Sequence, residues 1–309
     1  MSYQRWMLVL KIVFTLGLLA LVVLYVDIPS VWQRIRGVEV QYLLASWLCI
    51  VLGYVLCGLR WAWMAEGLGL TISRSRKIRL YFLGMFTSLF LPSTIGGDVL
   101  RGILLAKGEG RSGIGVLAGA SVILDRLNGM YALVLLLTLC MLWFSWPMAW
   151  WLSWSMLLLA MWGGLVLYPW IHPRLPKFLS KIRALPLLEP CFYQSWWKSL
   201  PVSFVFQMLV VQAHVFLAMG VGLDMNWASM SIMVGLVALL ATLPISLNGF
   251  GIREAGYVSF AVYFGANSDA ATAMAALWVV VLSCAAIPGA VILWRAGGMK
   301  ALQHRSGNT

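Results

Sequence analysis

Two short stretches carry charge where the surrounding sequence tolerates it poorly. Residues 91–101 read LPSTIGGDVLR and residues 243–254 read LPISLNGFGIRE, each inside a long apolar run. Each places an arginine (Arg101, Arg253) a few residues after a proline (Pro92, Pro244) and two glycines (Gly96 and Gly97; Gly249 and Gly251). Asp98 accompanies the first arginine, and Asn248 and Glu254 accompany the second. Proline cannot continue a helical hydrogen-bond ladder, and glycine admits backbone conformations that other residues avoid. A helix that restarts after such a break points free N–H groups and the positive end of its dipole at the break. An arginine about one turn further in adds a full charge and a forked donor suited to phosphate or carboxylate. The chemistry implied is anion binding. The plainer reading of Asp98 and Glu254 is that each caps its own half-helix.

A third charged spot is ILDRLNG, residues 123–129. If its helix starts near Ser112, Asp125 lies about 20 Å along it, close to the middle of a bilayer. Asp125 and Arg126 adjoin in sequence and so point in different directions, which stops them from simply neutralising each other. Asp125 is therefore expected to face Arg101 or Arg253 across a cavity. The plain alternative is a structural counter-ion that fixes the two broken segments. Ionisable groups at such depth are costly and mark substrate pathways.

The elements that must position these residues are membrane helices. Of 309 residues 62% are hydrophobic and only 10% charged, with a mean hydropathy of +0.89, which excludes an ordinary soluble domain. Apolar runs at 6–26, 42–59, 112–144, 149–168, 199–220 and 269–294 read as full spans; 80–106 and 229–265 are broken segments. The first run has no small-residue cleavage site, so it reads as a retained helix. Tryptophans at run ends, such as Trp61, Trp146 and Trp197, fit interfacial belts. Cys49, Cys57, Cys140, Cys191 and Cys284 show no paired spacing, and the three histidines are scattered, so neither metal nor cofactor is expected. GEGRSG at 108–113 fits a dinucleotide-loop pattern, but no strand precedes it. Gly115 and Gly119 read as close helix packing, and His214, with Gln207 and Gln212, as an interhelical hydrogen bonder.

Lysine and arginine set the orientation. With a cytoplasmic N-terminus, 17 of the 22 basic residues fall inside, Arg60, Arg74, Arg76, Lys77 and Arg79 among them. Arg34 and Arg36 fall outside, and Arg101, Arg126 and Arg253 are left to the interior. The net charge of +12 is spread over short loops, which suits anionic inner-leaflet lipids and not nucleic acid. Both termini are then cytoplasmic, in a multi-pass cytoplasmic (inner) membrane protein. This works if 80–106 dips in from the cytoplasm, between basic loops, and 229–265 dips in from outside. Aligned without gaps, Leu91, Pro92, Gly97 and Arg101 meet Leu243, Pro244, Gly249 and Arg253 at an offset of 152 residues. A motif repeated in both broken segments, approached from opposite faces, is the pointer to an inverted repeat with a midplane site. The expected fold is all-α: about six full spans plus two re-entrant hairpins, about eight hydrophobic segments. One transmembrane domain over 1–309 divides into pseudo-repeats of about 1–146 and 147–309.

The ordered set Pro92–Arg101, Asp125–Arg126 and Pro244–Glu254 resembles the flippase-like family named for the transmembrane half of lysylphosphatidylglycerol synthase. That family carries P-S-x-x-G-G-D-x-x-R, a D-R pair in the next helix, and P-x-x-x-x-G-x-G-x-R-E near the C-terminus. Asn248 replaces a glycine common before the last G-x-G. The resemblance implies movement of an anionic or aminoacylated phospholipid, or a lipid-linked glycan, between leaflets. Arg101, Arg253, Asp98, Asp125, Arg126, Asn248 and Glu254 would meet the headgroup. The aminoacyl-transfer domain of the family's namesake has no counterpart here, since the longest extramembrane stretch is about 30 residues, so an enzyme is not expected. Two readings compete: a membrane-embedded lipid-modifying transferase using Asp125 or Glu254 as base, and a non-transporting partner of a separate glycosyltransferase or lipid synthase.

Overall fold

The computed structural model describes residues 3–90, 96–111, 113–144, 148–174, 176, 184–242, 246 and 249–297. Among them the chain is all-helical, without strands. Helix α1 (Tyr3–Tyr25) and α2 (Ile28–Arg36) meet at a sharp corner of 87°. Pro29 sits in the first turn of α2, where its missing N–H costs nothing. Then follow α3 (Val40–Gly67), α4 (Arg74–Phe90), α5 (Gly96–Glu109), α6 (Gly115–Met141) and α7 (Met148–Ile171). The rest is α8 (Pro190–Val221), α9 (Trp227–Ala241), α10 (Ile252–Tyr263), α11 (Ser268–Ala285) and α12 (Ile287–Arg295). Asn226 and Asn267 cap α9 and α11 by accepting the N–H of Ser229 and Ala270. Gly222 closes α8 in the left-handed region that glycine adopts without strain (φ 69°).

Five helical segments are long and apolar enough to cross a membrane: α3, α6, the stretch Trp150–Arg174, α8, and α11 with α12 taken together. The bent pair of α1 and α2 supplies a sixth if counted as one span. The broken segments are helical hairpins, α4 against α5 and α9 against α10. At 1.5 Å per residue their arms measure about 26 and 21 Å, and about 22 and 18 Å, all short of the ~30 Å hydrocarbon core. Three helices long and apolar enough to cross, α6, α7 and α8, lie between the hairpins. If each crosses, the odd number puts the mouths of the two hairpins on opposite membrane faces.

The 152-residue offset holds well beyond the motifs. Shifted by it, α3 lands on 192–219, the body of α8, and α4 on 226–242, the body of α9. Likewise α5 lands on 248–261, over α10, and α6 on 267–293, over α11 and α12. The related helices α3 and α8 pack on each other more extensively than any other pair, as elements beside a pseudo-twofold axis must. The packing of α12 on α4 has its counterpart in α6 on α9. In the first seam a side chain on Gly289 would collide with the Phe82 carbonyl and Phe86. In the second, Leu137 fills the space beside Gly235. Leu137 and Gly289 occupy the same repeat position, as do Leu83 and Gly235, so the glycine of each seam stands on the opposite partner helix.

The hairpin of α4 and α5 closes through Gly97, whose missing side chain leaves room for the Gly84 carbonyl and Ser88 Oγ. Its mouth is laced by ion pairs and hydrogen bonds. Arg74 grips Glu66 with both Nε and Nη2, at 2.8–3.0 Å, and Lys77 donates to the Leu70 carbonyl at 2.9 Å. Glu109 accepts from Thr71 Oγ1, the Ile72 N–H and Arg111.

Arg60 lies two turns inside α3 and only 4% exposed, so its assignment to a cytoplasmic loop is corrected. The reason is the helix itself: it runs on through Trp61–Gly67 before turn residues appear, carrying Arg60 back into the core. Trp61 is likewise fully buried, correcting its place in an interfacial belt.

Two expected outcomes test this arrangement. Single cysteines at Lys107 and Asn267, in a background without the native thiols, should react with an impermeant maleimide from opposite faces; labelling from one face contradicts the inverted arrangement. Gly97→Ala should force the first hairpin apart and lower the melting temperature by several degrees, whereas Gly115→Ala, which meets open space, should not.

Candidate functional site

The charged residues assemble around a carboxylate in mid-helix. Asp125 sits ten residues into α6, about 15 Å along its axis, and its side chain is 2% exposed. One oxygen accepts from Arg60 Nε of α3 at 2.7 Å, and the other accepts from Arg101 Nη2 of α5 at 2.9 Å. Arg60 Nη1 reaches on to Ser203 Oγ of α8 at 3.0 Å, and Ser203 donates in turn to Asn128 Oδ1 of α6. Asp125 therefore ties α3, α5 and α6 directly, and α8 through the Arg60 fork. A carboxylate alone in that position would be prohibitive; two guanidinium groups at hydrogen-bond distance make it tolerable.

Arg101 is 3% exposed, and its guanidinium stacks over two rings, Trp61 at 4.7 Å and Tyr81 at 4.8 Å. Trp61 is itself fixed by donating from Nε1 to Ser121 Oγ at 3.1 Å. Asp98, one turn earlier in α5, lies 3.0 Å from Arg101 Nε as an ion pair, and Arg101 Nε and Nη1 are both buried without a hydrogen-bond partner. The far oxygen of Asp98 pairs with Arg126 of α6, whose side chain is 42% exposed. The charges thus alternate along one line, Arg60, Asp125, Arg101, Asp98, Arg126: three cations, two anions, running from core to surface.

The second arginine stands differently. Arg253 is half-buried in the first turn of α10 and makes no ion pair among the described residues. Tyr54, His214 and Tyr257 lie within its electrostatic reach, and Glu254 adjoins it in sequence. His214 Nδ1 meets the Val210 carbonyl at 2.8 Å, which requires the proton there, so Nε2 accepts from the Tyr257 hydroxyl at 2.9 Å. Glu254 turns back to accept the Gly251 N–H at 2.6 Å, capping its own half-helix. Gly249 and Gly251 both adopt positive φ (79° and 80°), and a side chain on Gly251 would run into α1 at the Thr15 carbonyl and Leu18.

Of the sequence-derived residues the structure brings together Arg101, Asp98, Asp125 and Arg126, with Gly96 and Gly97 opening α5. Asp125 faces Arg101 and not Arg253. Arg253, Glu254, Gly249 and Gly251 form a separate group against α1, α3 and α8. Pro92, Pro244 and Asn248 lie outside the described residues. Arg60 was missed as a site residue, and the missed signal was local: six helical residues, five of them apolar, follow it before Gly67. Two apolar grooves of about 500 and 560 Å³ lie elsewhere, one between α6, α7 and α9 and one between α6, α8 and α9. Neither is lined by an ionisable arginine or carboxylate.

The apolar helices long enough to span a bilayer, with the two short-armed hairpins between them, define a multi-pass membrane protein. More narrowly, the chain belongs to the family described as the lysylphosphatidylglycerol synthase TM region, whose model matches residues 8–287. Among curated proteins no match was found.

Asp125→Asn leaves two buried guanidinium groups with one carboxylate between them, at Asp98. Breaking such a network costs about 3–5 kcal/mol. The purified variant should melt well below wild type, and the double variant Arg60→Met/Asp125→Leu should recover part of the loss. A melting temperature unchanged by Asp125→Asn would show that the network carries no stability.

Proposed function

We propose that this protein moves an anionic or aminoacylated phospholipid, or a lipid-linked glycan, between the leaflets of the cytoplasmic membrane. The observation that carries this reading is the unequal state of two equivalent arginines. Arg101 is ion-paired with Asp125 and Asp98 and stacked on two aromatic faces, whereas Arg253 makes no ion pair among the described residues. A half-buried cation without a counter-ion among the described residues is expensive in a low-dielectric site, and an incoming phosphate supplies one. The two hairpins approach from opposite faces, so a headgroup attracted to one tip stands part-way to the other. Exchange of a phosphate between the two tips would couple headgroup passage to hairpin movement, because a ligand shifts a conformational equilibrium only through unequal affinity for its states. The basic loops hold the chain in the orientation that keeps α4 and α5 toward the cytoplasm.

The transferase reading is weaker because its candidate bases are occupied. Asp125 is held by two arginines, and Glu254 is committed to capping Gly251. A partner that merely anchors a synthase would have no use for an arginine that makes no ion pair among the described residues just past a hairpin break.

The test is a leaflet-resolved lipid assay in proteoliposomes. Arg253→Ala should slow headgroup translocation at least tenfold while leaving the melting temperature near wild type, since no described ion pair is broken. Arg253→Lys should recover only part of the rate, because a point charge does not reproduce a forked phosphate contact. Wild-type translocation by folded Arg253→Ala protein would rule out this role for the second hairpin.

A further inference from the structure

We infer that Asp98 occupies a lipid-phosphate subsite between Arg101 and Arg126, standing in the closed state where a phospholipid's phosphate binds in the open one. The inference rests on the lipid-handling reading above and adds a location and a competitor to it. Three observations carry it. First, the carboxylate of Asp98 bridges a buried guanidinium and a half-exposed one, the geometry in which one phosphate would bridge the same two arginines. Second, Arg101, 97% buried, keeps Nε and Nη1 without a hydrogen-bond partner, so its pairing with Asp98 leaves donors for a further acceptor. Third, the outer end of the line opens sideways. Arg126 lies eleven residues into α6, about 16 Å along it, flanked on its own helix by Ile123 and Leu127, which are 62% and 39% exposed. Across the seam, Val99 and Ile103 of α5 are 54% and 48% exposed.

Those apolar neighbours decide the source of the anion. Large aliphatic side chains facing outward at that depth meet acyl chains, so the arginine beside them is reached along the α5–α6 seam by a molecule already in the bilayer. A free phosphate would have to cross lipid to arrive. The repeat supplies an independent contrast. The positions equivalent to Asp98 and Asp125 in the second half are Phe250 and Leu277, so Arg253 has no built-in competitor. One arginine is thus gated by the protein's own carboxylate and the other is not.

The experiment compares wild type, Asp98→Asn and Arg126→Gln, purified in neutral detergent and matched for folded fraction by melting temperature. Each is titrated with phosphatidylglycerol, with diacylglycerol, and with inorganic phosphate. Removing the competitor should tighten phosphatidylglycerol binding about tenfold in Asp98→Asn, and removing the outer arginine should weaken it about tenfold, the size of one charge-assisted contact. Diacylglycerol should bind all three alike, and millimolar inorganic phosphate should not displace the lipid. Asp98→Asn protein that binds phosphatidylglycerol no more tightly than wild type overturns the inference, as does lipid displacement by inorganic phosphate. If Asp98→Asn does not fold, Arg126→Gln decides alone, and unchanged affinity there overturns it equally. The proteoliposome assay separates the two proposals: the predicted binding pattern without translocation leaves the subsite standing and ends the transport reading. Translocation without that pattern does the reverse.

Discussion

One carboxylate organises this molecule. Asp125 is surrounded by helices that would otherwise have only apolar faces to offer each other, and in lipid such faces gain little by meeting, because acyl chains are as apolar as leucine. Packing alone would leave α3, α5, α6 and α8 free to slide. Two guanidinium groups directed at opposite oxygens of one carboxylate remove that freedom: each must be where it is, or a charge is left unpaired in a medium that punishes it. The constraint then spreads. The Arg60 fork takes in Ser203 and Asn128, and Arg101 takes in Trp61, Tyr81 and Asp98. The first hairpin is held at its mouth by Glu66 and Glu109, and at depth by Asp125.

Among the described residues the second hairpin has no such ion-paired anchor. It has the same offset, the same short arms and an arginine at the matching place, yet the residues that would hold that arginine are replaced by Phe250, Leu277 and Gln212 where the first half has Asp98, Asp125 and Arg60. Its tip instead depends on backbone: two positive-φ glycines, a self-capping glutamate and close approach to α1. A repeat under structural demand alone would keep its stabilising charges in both copies or lose them from both. Here the halves share a backbone plan and differ in electrostatics: the first arginine is ion-paired with two carboxylates, and the second makes no ion pair among the described residues.

Much of this was written in the sequence, and the reasons for the omissions are physical. Broken backbone leaves a mark of its own in proline and glycine, so both hairpins were legible at Pro92–Gly97 and Pro244–Gly251 before any geometry was known. The offset was legible because four residues recur in register. Asp125 was legible because a carboxylate in an apolar run needs a reason. Its partner Arg60 was not, because arginine near the end of an apolar run ordinarily marks the membrane surface, and the rule that reads loops from charge has no term for a cation pulled inward by a distant carboxylate. Arg126 was legible as a charge and illegible as a direction. Only the helix phase, set by Asp125 facing inward, turns its neighbour out toward Asp98 and the lipid-facing seam.

That last dependence ties the interior to the surface. Asp125 and Arg126 are adjacent on α6, about 100° apart around its axis, so fixing one fixes the other. Because Asp125 points at Arg60 and Arg101, Arg126 must stand at the α5–α6 seam, where Asp98 can reach it without leaving Arg101. Asp98 is in turn fixed by its place in the first turn of α5, immediately after the break. The surface end of the line is therefore not an independent feature that happens to lie nearby. Rotation of α6 sufficient to free Asp125 would also withdraw Arg126 from Asp98, and movement of the α5 tip sufficient to free Asp98 would strain the Arg101–Asp125 contact. A charge arriving at the lipid-facing end can thus be felt at the core through two covalently adjacent residues and one short half-helix, with no other element needing to move first.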